Sequence, residues 1–175
     1  MHPGQEKSPE RPVLTIRQVF DLADAIERHY RLLVLLAVFG SLRWGELVAL
    51  RRRHIDLRSG TLRVEVAVVE LIDGSLVTEP PKSEAGKRLV TLPAFLLPEL
   101  AAHLDEITPP GADSLAFVGP KNAPLRRSNF TRPWRQATAA AGLAGFHVHD
   151  LRHTGQPLRR NDGREFAGTN GPDGS

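Results

Sequence analysis

The run from Tyr30 to Phe39 constrains the fold more than any other feature of this sequence, because apolar side chains occupy nearly every position in it. A helix that is apolar around almost its whole circumference is stable only when other elements surround it. The longest apolar stretch, Leu32 to Gly40, has about half the length that a membrane span requires. The run therefore predicts a buried central helix of a globular domain, which is broken at Gly40 and Ser41.

Apolar spacing and capping residues predict four further helices around this central one. Thr15 is a capping residue for the first of them, in which Val19, Leu22 and Ile26 share one face. A proline in the first turn marks one of the others, and a glycine after the last turn marks another. The predicted helices run from Ile16 to about His29, from Gly45 to about Leu50, from Pro93 to Leu104, and from a cap at Ser128 to about Ala141.

The middle of the chain changes from helical to strand periodicity. Valine-rich Thr61–Leu71 predicts a strand, Asp73-Gly74 predicts a tight hairpin turn, and Ser75–Thr78 predicts the return strand. After a proline-rich turn over Pro80–Gly86, Arg88–Leu92 predicts a third strand. The predicted fold class is therefore α+β, mostly helical, with a small three-stranded antiparallel sheet.

Composition limits the compartment and the partner of this domain. The 175 residues, 41% hydrophobic and 25% charged, suffice for one globular core of ordinary size. The absence of cysteine excludes disulfides and thiolate metal sites, and it makes the reducing cytoplasm the expected location. A formal charge of +3 and clustered arginines favour an anionic partner. We expect no membrane segment and no secretory signal, since residues 1–11 contain no hydrophobic stretch.

Both ends of the chain differ from its middle. Residues 1–12 carry three prolines and mixed charge, which predicts a disordered lead-in. Residues 156–175 show no helical or strand periodicity, and the last eight are all turn-forming types. We therefore predict one folded domain over residues 13–155 and a disordered or non-native tail over 156–175.

Two short motifs place arginines where a phosphodiester could be bound. His149-Asp150-Leu151-Arg152-His153 is a His-x-x-Arg box, and Leu42-Arg43-Trp44-Gly45-Glu46-Leu47 supplies a second arginine in a helical setting. A guanidinium offers fixed, bidentate donors to phosphate oxygens. Two guanidinium groups on opposite sides of a phosphate would stabilise the transition state of phosphoryl transfer, which needs little more than positioning and charge neutralisation. Arg43 and Arg152 are therefore the candidate phosphate ligands.

Three motifs together make residues 14–155 resemble the tyrosine recombinase (phage integrase) family. Leu-Arg-x-x-Glu-Leu occurs at 42–47, Pro-Lys-Ser-x-x-Gly-x-Arg at 81–88, and the His-x-x-Arg box at 149–152. Each motif is weak alone, but three in the family's order and at its spacing, with the expected sheet between them, are specific. The resemblance implies site-specific recombination or integration of double-stranded DNA through a 3′-phosphotyrosyl intermediate, without a metal or a cofactor.

The resemblance also implies a role for each matching residue. Arg43 and Arg152 would bind the scissile phosphate, and Lys82 would be the general acid to the leaving 5′-hydroxyl. His149 would hydrogen-bond the phosphate or assist proton transfer. Glu46 would orient the arginine and histidine groups. His153 is interpreted as structural.

The chain departs from the family's pattern after Thr154. It lacks the expected Gly-His pair, and its only tyrosine, Tyr30, precedes both motifs, so we expect no nucleophile and no catalysis. We also expect the family's amino-terminal DNA-clamping domain to be absent from these 175 residues, since the resemblance to the catalytic domain already begins at Leu14. If the codons for Gly163–Gly174 are read in a frame shifted by one nucleotide, they could encode an amphipathic helix. This helix would resemble the family's segment before its Gly-His pair. The tail is therefore interpreted as frameshifted, and the chain as a fragment.

Two groups of arginines are candidates for contacts with the phosphate backbone of DNA, which neutralise charge without reading sequence. One group precedes the first strand, and the other lies at and within the last predicted helix. They comprise Arg51, Arg52 and Arg53 in the first group, and Arg126, Arg127, Arg132 and Arg135 in the second.

Other functions compete with this hypothesis. A non-catalytic module that occupies recombination sites or joins an intact recombinase would keep the basic groups without the chemistry. An inert relic of an integrase gene would keep only the sequence pattern. The cluster of His147, His149, Asp150 and His153 superficially resembles a metallohydrolase site, but Arg152 would place a cation inside it. We therefore expect no metal.

Overall fold

The computed structural model describes residues 12–81 and 86–156. The predicted positions of Lys82, of the lead-in up to Arg11 and of the tail beyond Gln156 lie outside these residues. The helices are α1 (Ile16–Ala25), α2 (Arg28–Phe39), α3 (Trp44–Ala49), α4 (Leu97–Glu106) and α5 (Arg127–Ala140). The strands are β1 (Ile55–Asp56), β2 (Thr61–Val64), β3 (Ala67–Glu70), β4 (Leu76–Glu79) and β5 (Arg88–Thr91). A final helical segment spans residues 150–156.

Helix α2 is the centre of the domain, as its apolar sequence predicts. Every residue from Leu32 to Phe39 is buried, and the core cluster joins α2 to all the other helices. The predicted extent of the first helix, to His29, is wrong, because α1 ends at Ala25. Ile26 and Glu27 adopt extended backbone, so the chain turns and both Ile26 and Tyr30 reach the core. Within the described residues, no helix combines the length and apolarity needed to cross a membrane.

The fold class is α+β with a small three-stranded antiparallel sheet, but its strands differ from the prediction. Thr61–Leu71 is not one strand, since Glu65 and Val66 separate β2 from β3. The three-stranded sheet has the order β1-β2-β5, and Leu62 pairs with Val90 in its buried face. Strands β3 and β4 instead form a separate hairpin. Burial explains the division, because β2 faces the core whereas the hairpin exposes most of its residues.

Local sequence correctly predicted the hairpin turn but not the first residue of α5. At the predicted hairpin turn, Gly74 has a φ of +86° and the Asp73 carboxylate accepts from the Ser75 backbone N–H at 2.9 Å. The predicted cap at Ser128 is wrong, because Arg126 precedes the first turn of α5 and Ser128 lies inside it. Trp134 on α5 donates its indole N–H to the Phe146 carbonyl at 2.9 Å, which holds the segment after α5 against that helix.

Two buried histidines make the stability of this fold depend on pH. Burial lowers the pKa of His103 below its ordinary value of 6.5, although a hydrogen bond with the Ala116 carbonyl opposes the shift. Burial also lowers the pKa of His54, opposed by Glu65. The unfolded chain therefore binds protons that the folded chain does not. The contribution of these two histidines to the free energy of unfolding should be fully present above about pH 6.5. It should decrease as the pH falls below that value.

We expect the melting temperature to fall between pH 7.5 and pH 5.5 by on the order of 4 °C, which corresponds to about 1 kcal/mol. His103→Gln should reduce this difference, because it removes a buried histidine whose pKa is lowered in the folded chain. Calorimetry at both pH values is the measurement. An equal fall in the His103→Gln protein and the unmodified protein would contradict the assignment.

Candidate functional site

A cleft of about 1100 Å³ lies between α3, the β3–β4 hairpin and the helical segment over residues 150–156. These elements are far apart in sequence, and the fold brings them together around the carboxyl end of α2. The floor is apolar, with Leu42, Leu47 and Val64 among its residues. Its charged and titratable residues are Arg43, Glu46, Glu70, Glu79, Arg88, Arg127, His149, Arg152 and His153.

Arg43 is held at the mouth of this cleft by the start of α3. It precedes the first helical residue, and its backbone N–H donates to Glu46 Oε2 at 2.9 Å. An acidic residue three positions after a helix cap satisfies one of the free N–H groups of the first turn. The spacing of Arg43 and Glu46 is thus a capping arrangement, and it leaves the exposed Arg43 side chain at the cleft.

Arg152 reaches the same cleft from the helical segment over residues 150–156. Its Nε donates to the Ser41 carbonyl at 3.2 Å. Burial lowers the pKa of Arg152, the nearby charges of Arg43 and Arg88 lower it further, and Glu46 opposes them. The guanidinium groups of Arg43 and Arg152 are thus near enough to repel each other. An anion placed between them would relieve this repulsion.

The backbone at Ser41 orients this side of the cleft. Ser41 links α2 to α3 with a φ of +53°, a left-handed conformation that a non-glycine residue seldom adopts. Its carbonyl accepts from Arg152 and, at 3.5 Å, from Arg88. Its own hydroxyl is buried without a hydrogen-bond partner among the described residues. Strained backbone of this kind persists where the surrounding structure determines it.

Arg88 is the charged residue of the site that motif reasoning missed. It donates through Nη1 and Nη2 to the two carboxylate oxygens of Glu46, each at 2.9 Å. Burial raises the pKa of Glu46, but the hydrogen bonds from Arg88 and from the Arg43 backbone outweigh it, so this pKa lies below its ordinary value. The predicted role of Glu46, to orient the site's arginine and histidine groups, stays a prediction beside this pair. Arg88 is the last residue of the motif at 81–88. No pattern in the sequence shows, however, that its strand β5 lies beside α3, which carries Glu46.

The histidines of the box also line the cleft. His149 has an exposed side chain, and its Nε2 lies 3.5 Å from the carboxylate of the buried Asp150. Its ring stacks on that of His147 with centroids 5.8 Å apart. His153 also lines the cleft. Among the described residues, no three His, Cys, Asp or Glu side chains form a group that could hold a metal ion.

A second cleft of about 560 Å³ shares Trp44, Arg127, Val148 and His149 with the first. Arg127 lies over the Trp44 ring, with 5.6 Å between its guanidinium carbon and the ring centroid. Arg135, also from α5, lines this second cleft. The two clefts thus form a continuous surface on which Arg43, Arg127, Arg135 and Arg152 are distributed.

The predicted basic groups divide according to their partners. In the second group, Arg126 donates to the Gly74 carbonyl and lies 3.8 Å from Glu70, so it ties the hairpin to α5. Arg132 is exposed and lines neither cleft. Arg127 and Arg135 alone of this group reach the clefts.

The first group, Arg51 to Arg53, lies away from both clefts and has internal partners. Arg51 donates to the Asp113 carbonyl, and Arg53 pairs with the Asp113 carboxylate. Arg52 donates to the Leu104 carbonyl in α4 and to two carbonyls after that helix, including that of Thr108 at 3.1 Å. These contacts favour a packing role for the group, and its predicted contact with DNA stays a prediction. Lys82 lies outside the described residues, but its neighbours Pro81 and Gly86 line the first cleft.

Comparison with known proteins identifies the class to which this fold and this cleft belong. The family model described as "Phage integrase family" matches residues 12–156. A protein of Mycobacterium tuberculosis described as a prophage phiRv2 integrase is 38% identical over 155 residues, which cover 87% of this chain and 41% of that protein. The integrase of Mycobacterium phage FRAT1 is 30% identical over 165 residues, or 91% of this chain and 50% of that protein. The chain belongs to the phage integrase family of tyrosine recombinases, and it spans half or less of the length of these relatives.

Solved structures show the same fold. The Tn1549 transposon integrase in complex with transposon right end DNA has a TM-score of 0.73 at 16% identity, over 91% of this chain and 56% of that one. The XerA recombinase has a TM-score of 0.68 at 20% identity, over 94% of this chain and 55% of that one. At such identities the likeness is one of fold.

Proposed function

We propose that this chain is the phosphate-binding part of a recombinase that integrates or recombines DNA at specific sites. The observation that carries the proposal is that Arg43 and Arg152, far apart in sequence, line one cleft, where burial and the charge of Arg43 lower the pKa of Arg152. Structures of the Tn1549 integrase and of the lambda integrase contain DNA, which supports double-stranded DNA as the partner of this fold. A cytoplasmic location and association with an intact recombinase belong to the same proposal.

The cleft suits a phosphodiester in its charge and its shape. Arg43 and Arg152 would each donate to non-bridging oxygens, and the pentavalent transition state carries more negative charge there than the ground state does. His149, whose side chain is exposed and lines the cleft, would donate a further hydrogen bond. Glu46 would not repel the phosphate, since Arg88 neutralises its carboxylate. Pro81 and Gly86, which lie on either side of Lys82 in the sequence, line the cleft. This supports a role for Lys82 as the donor of a proton to the leaving 5′-oxygen.

A binding-only form of this function is the second candidate. The phosphate ligands are assembled although the 175 residues contain no tyrosine after Arg152. A protein of this sequence would then bind DNA phosphates without forming a covalent bond to them. The continuous surface of the two clefts supports contact with several successive phosphates.

The proposal predicts weak, salt-sensitive binding to duplex DNA with little sequence preference. In fluorescence anisotropy with a labelled duplex, log Kd should change linearly with log salt. Arg152→Ala should weaken binding modestly and reduce the salt slope by about 1, because one phosphate contact among several is lost. Arg43→Ala should do the same. Arg63→Ala, which removes an exposed charge outside both clefts, is the matched control.

Affinity that does not vary with salt would contradict phosphate contacts altogether. Slopes of the Arg43→Ala and Arg152→Ala proteins equal to that of Arg63→Ala would place the contacts elsewhere. In that case the salt slope should be reduced in the Arg51→Ala and Arg53→Ala proteins instead. The first basic group, and not the cleft, would then be the surface that binds DNA.

A further inference from the structure

We propose that Arg88 is a positioning residue, which occupies both oxygens of the Glu46 carboxylate and thereby leaves Arg43 and Arg152 available to a phosphate. This inference rests on the proposed function of the cleft. Arg88 itself acts through Glu46 and needs no contact with the DNA.

The sheet places Arg88 for this task. In β5, Leu89 is exposed whereas Val90 is buried, so Arg88 shares the inward face with Val90. Its register partner on β2 is the buried Val64, which lines the floor of the cleft. The guanidinium therefore enters the cleft from the sheet, and 31% of the side chain remains exposed. A planar guanidinium can satisfy two carboxylate oxygens at once, which a lysine ammonium cannot do with the same geometry.

Glu46 makes such a partner necessary. Its side chain is only 10% exposed, and a buried carboxylate without a paired cation is costly. Its other cationic neighbours are Arg43 and Arg152, whose charges both interact with it. Without Arg88, the carboxylate would be compensated by one of these two guanidinium groups. That guanidinium group could then no longer bind a phosphate.

The Ser41 carbonyl couples Arg88 to Arg152 a second time. It accepts from Arg152 Nε at 3.2 Å and from Arg88 Nη2 at 3.5 Å. The two side chains thus share one acceptor on the left-handed turn between α2 and α3. A change at Arg88 therefore alters both the charge and the geometry around Arg152.

A double-mutant cycle on the full chain tests this inference, with binding to a labelled 20-base-pair duplex as the readout. Arg88→Met should weaken binding about fivefold, no more than Arg152→Ala does, because the phosphate loses one guanidinium ligand in either case. In the E46Q background, the same change should weaken binding by less than about twofold, the usual limit of additivity. Arg88→Lys should lie between the unmodified protein and Arg88→Met. Arg63→Met, on the same sheet with its side chain on the exposed face, controls for the lost charge.

The cycle separates the possible roles of Arg88. An equal loss in the E46Q background would mean direct phosphate contact or a purely structural role, and would overturn the proposal. If Arg88→Met does not fold, which circular dichroism would reveal, Arg88→Lys in both backgrounds gives the same comparison with a smaller effect. Failure of the unmodified protein to bind DNA would instead refute the proposed function of the cleft.

Discussion

Gly155→Ala is expected to destabilise the domain by about 3 kcal/mol or more, at the upper end of what overpacking costs. A Cβ on Gly155 would lie 1.7 Å from the Val38 carbonyl oxygen and 3.2 Å from Ser41 Oγ. The first contact is with the backbone of the buried central helix α2, which cannot move aside as a flexible side chain could. The helical segment over residues 150–156 would therefore have to shift away from α2. Denaturant unfolding at pH 7.5 measures the loss.

The same substitution should weaken DNA binding in protein that is still folded, because Arg152 lies on the displaced segment. Gln156→Ala is the matched control, since Gln156 is the exposed neighbour of Gly155. This control should change the free energy of unfolding by less than about 0.5 kcal/mol. Equal stabilities of the Gly155→Ala and Gln156→Ala proteins would show that the segment does not pack on α2 as described.

A protein of these 175 residues is expected to form no covalent adduct with a nicked suicide DNA substrate, even at high protein concentration. Covalent capture needs a hydroxyl in line with the scissile phosphate. Tyr30, the only tyrosine, is 3% exposed, lies on α2 and does not line the cleft. Burial raises its pKa, and the charge of Glu27 adds to this shift, so its phenolate is harder to form. Thr154 is fully buried, and an aliphatic alkoxide is far costlier to form than a phenolate.

A denaturing gel with end-labelled DNA is the measurement. An adduct mapped to any residue of this chain would falsify the expectation. A chain in which the alternative reading frame after residue 155 is restored, with a Gly-His pair and a downstream tyrosine, should recover cleavage if the cleft is complete. A folded but inactive repaired chain would indicate that further elements of the enzyme are needed.

Sequence reasoning was most successful where the physical cause is local. The apolar circumference of α2 required burial, and the Asp73-Gly74 pair required a hairpin. Arg43, His149 and Arg152 line one cleft, and in the sequence only the family resemblance, which implies a three-dimensional arrangement, links them to one site. Whether these residues have the roles assigned to them is a question for the binding experiments.

The failures share a non-local cause. The division of Thr61–Leu71 into two strands follows from the pairing of β2 with β5, since Leu62 and Val90 meet only in the folded sheet. The Arg88–Glu46 pair joins residues of β5 and α3, and a sequence shows both charges without showing that they meet. The internal partners of Arg51, Arg52 and Arg53, in α4 and in the segment after it, could not be predicted either, whereas the contact of these arginines with DNA stays a prediction. A cluster of charged residues in a sequence predicts an exposed binding surface only when no acceptor within the fold pairs with those residues.

The central claim is that a DNA phosphate binds between Arg43 and Arg152. Its most direct test is a titration of the 15N-labelled protein with a short duplex, followed through the Nε–Hε signals of its arginines. Arg43→Lys and Arg152→Lys proteins assign the two signals, and the signal of Arg63 serves as the internal reference. We predict that the Arg43 and Arg152 signals shift together with a common Kd, while that of Arg63 stays unchanged. Shifts confined to Arg51, Arg52 and Arg53, with those of Arg43 and Arg152 unaffected, would contradict the claim.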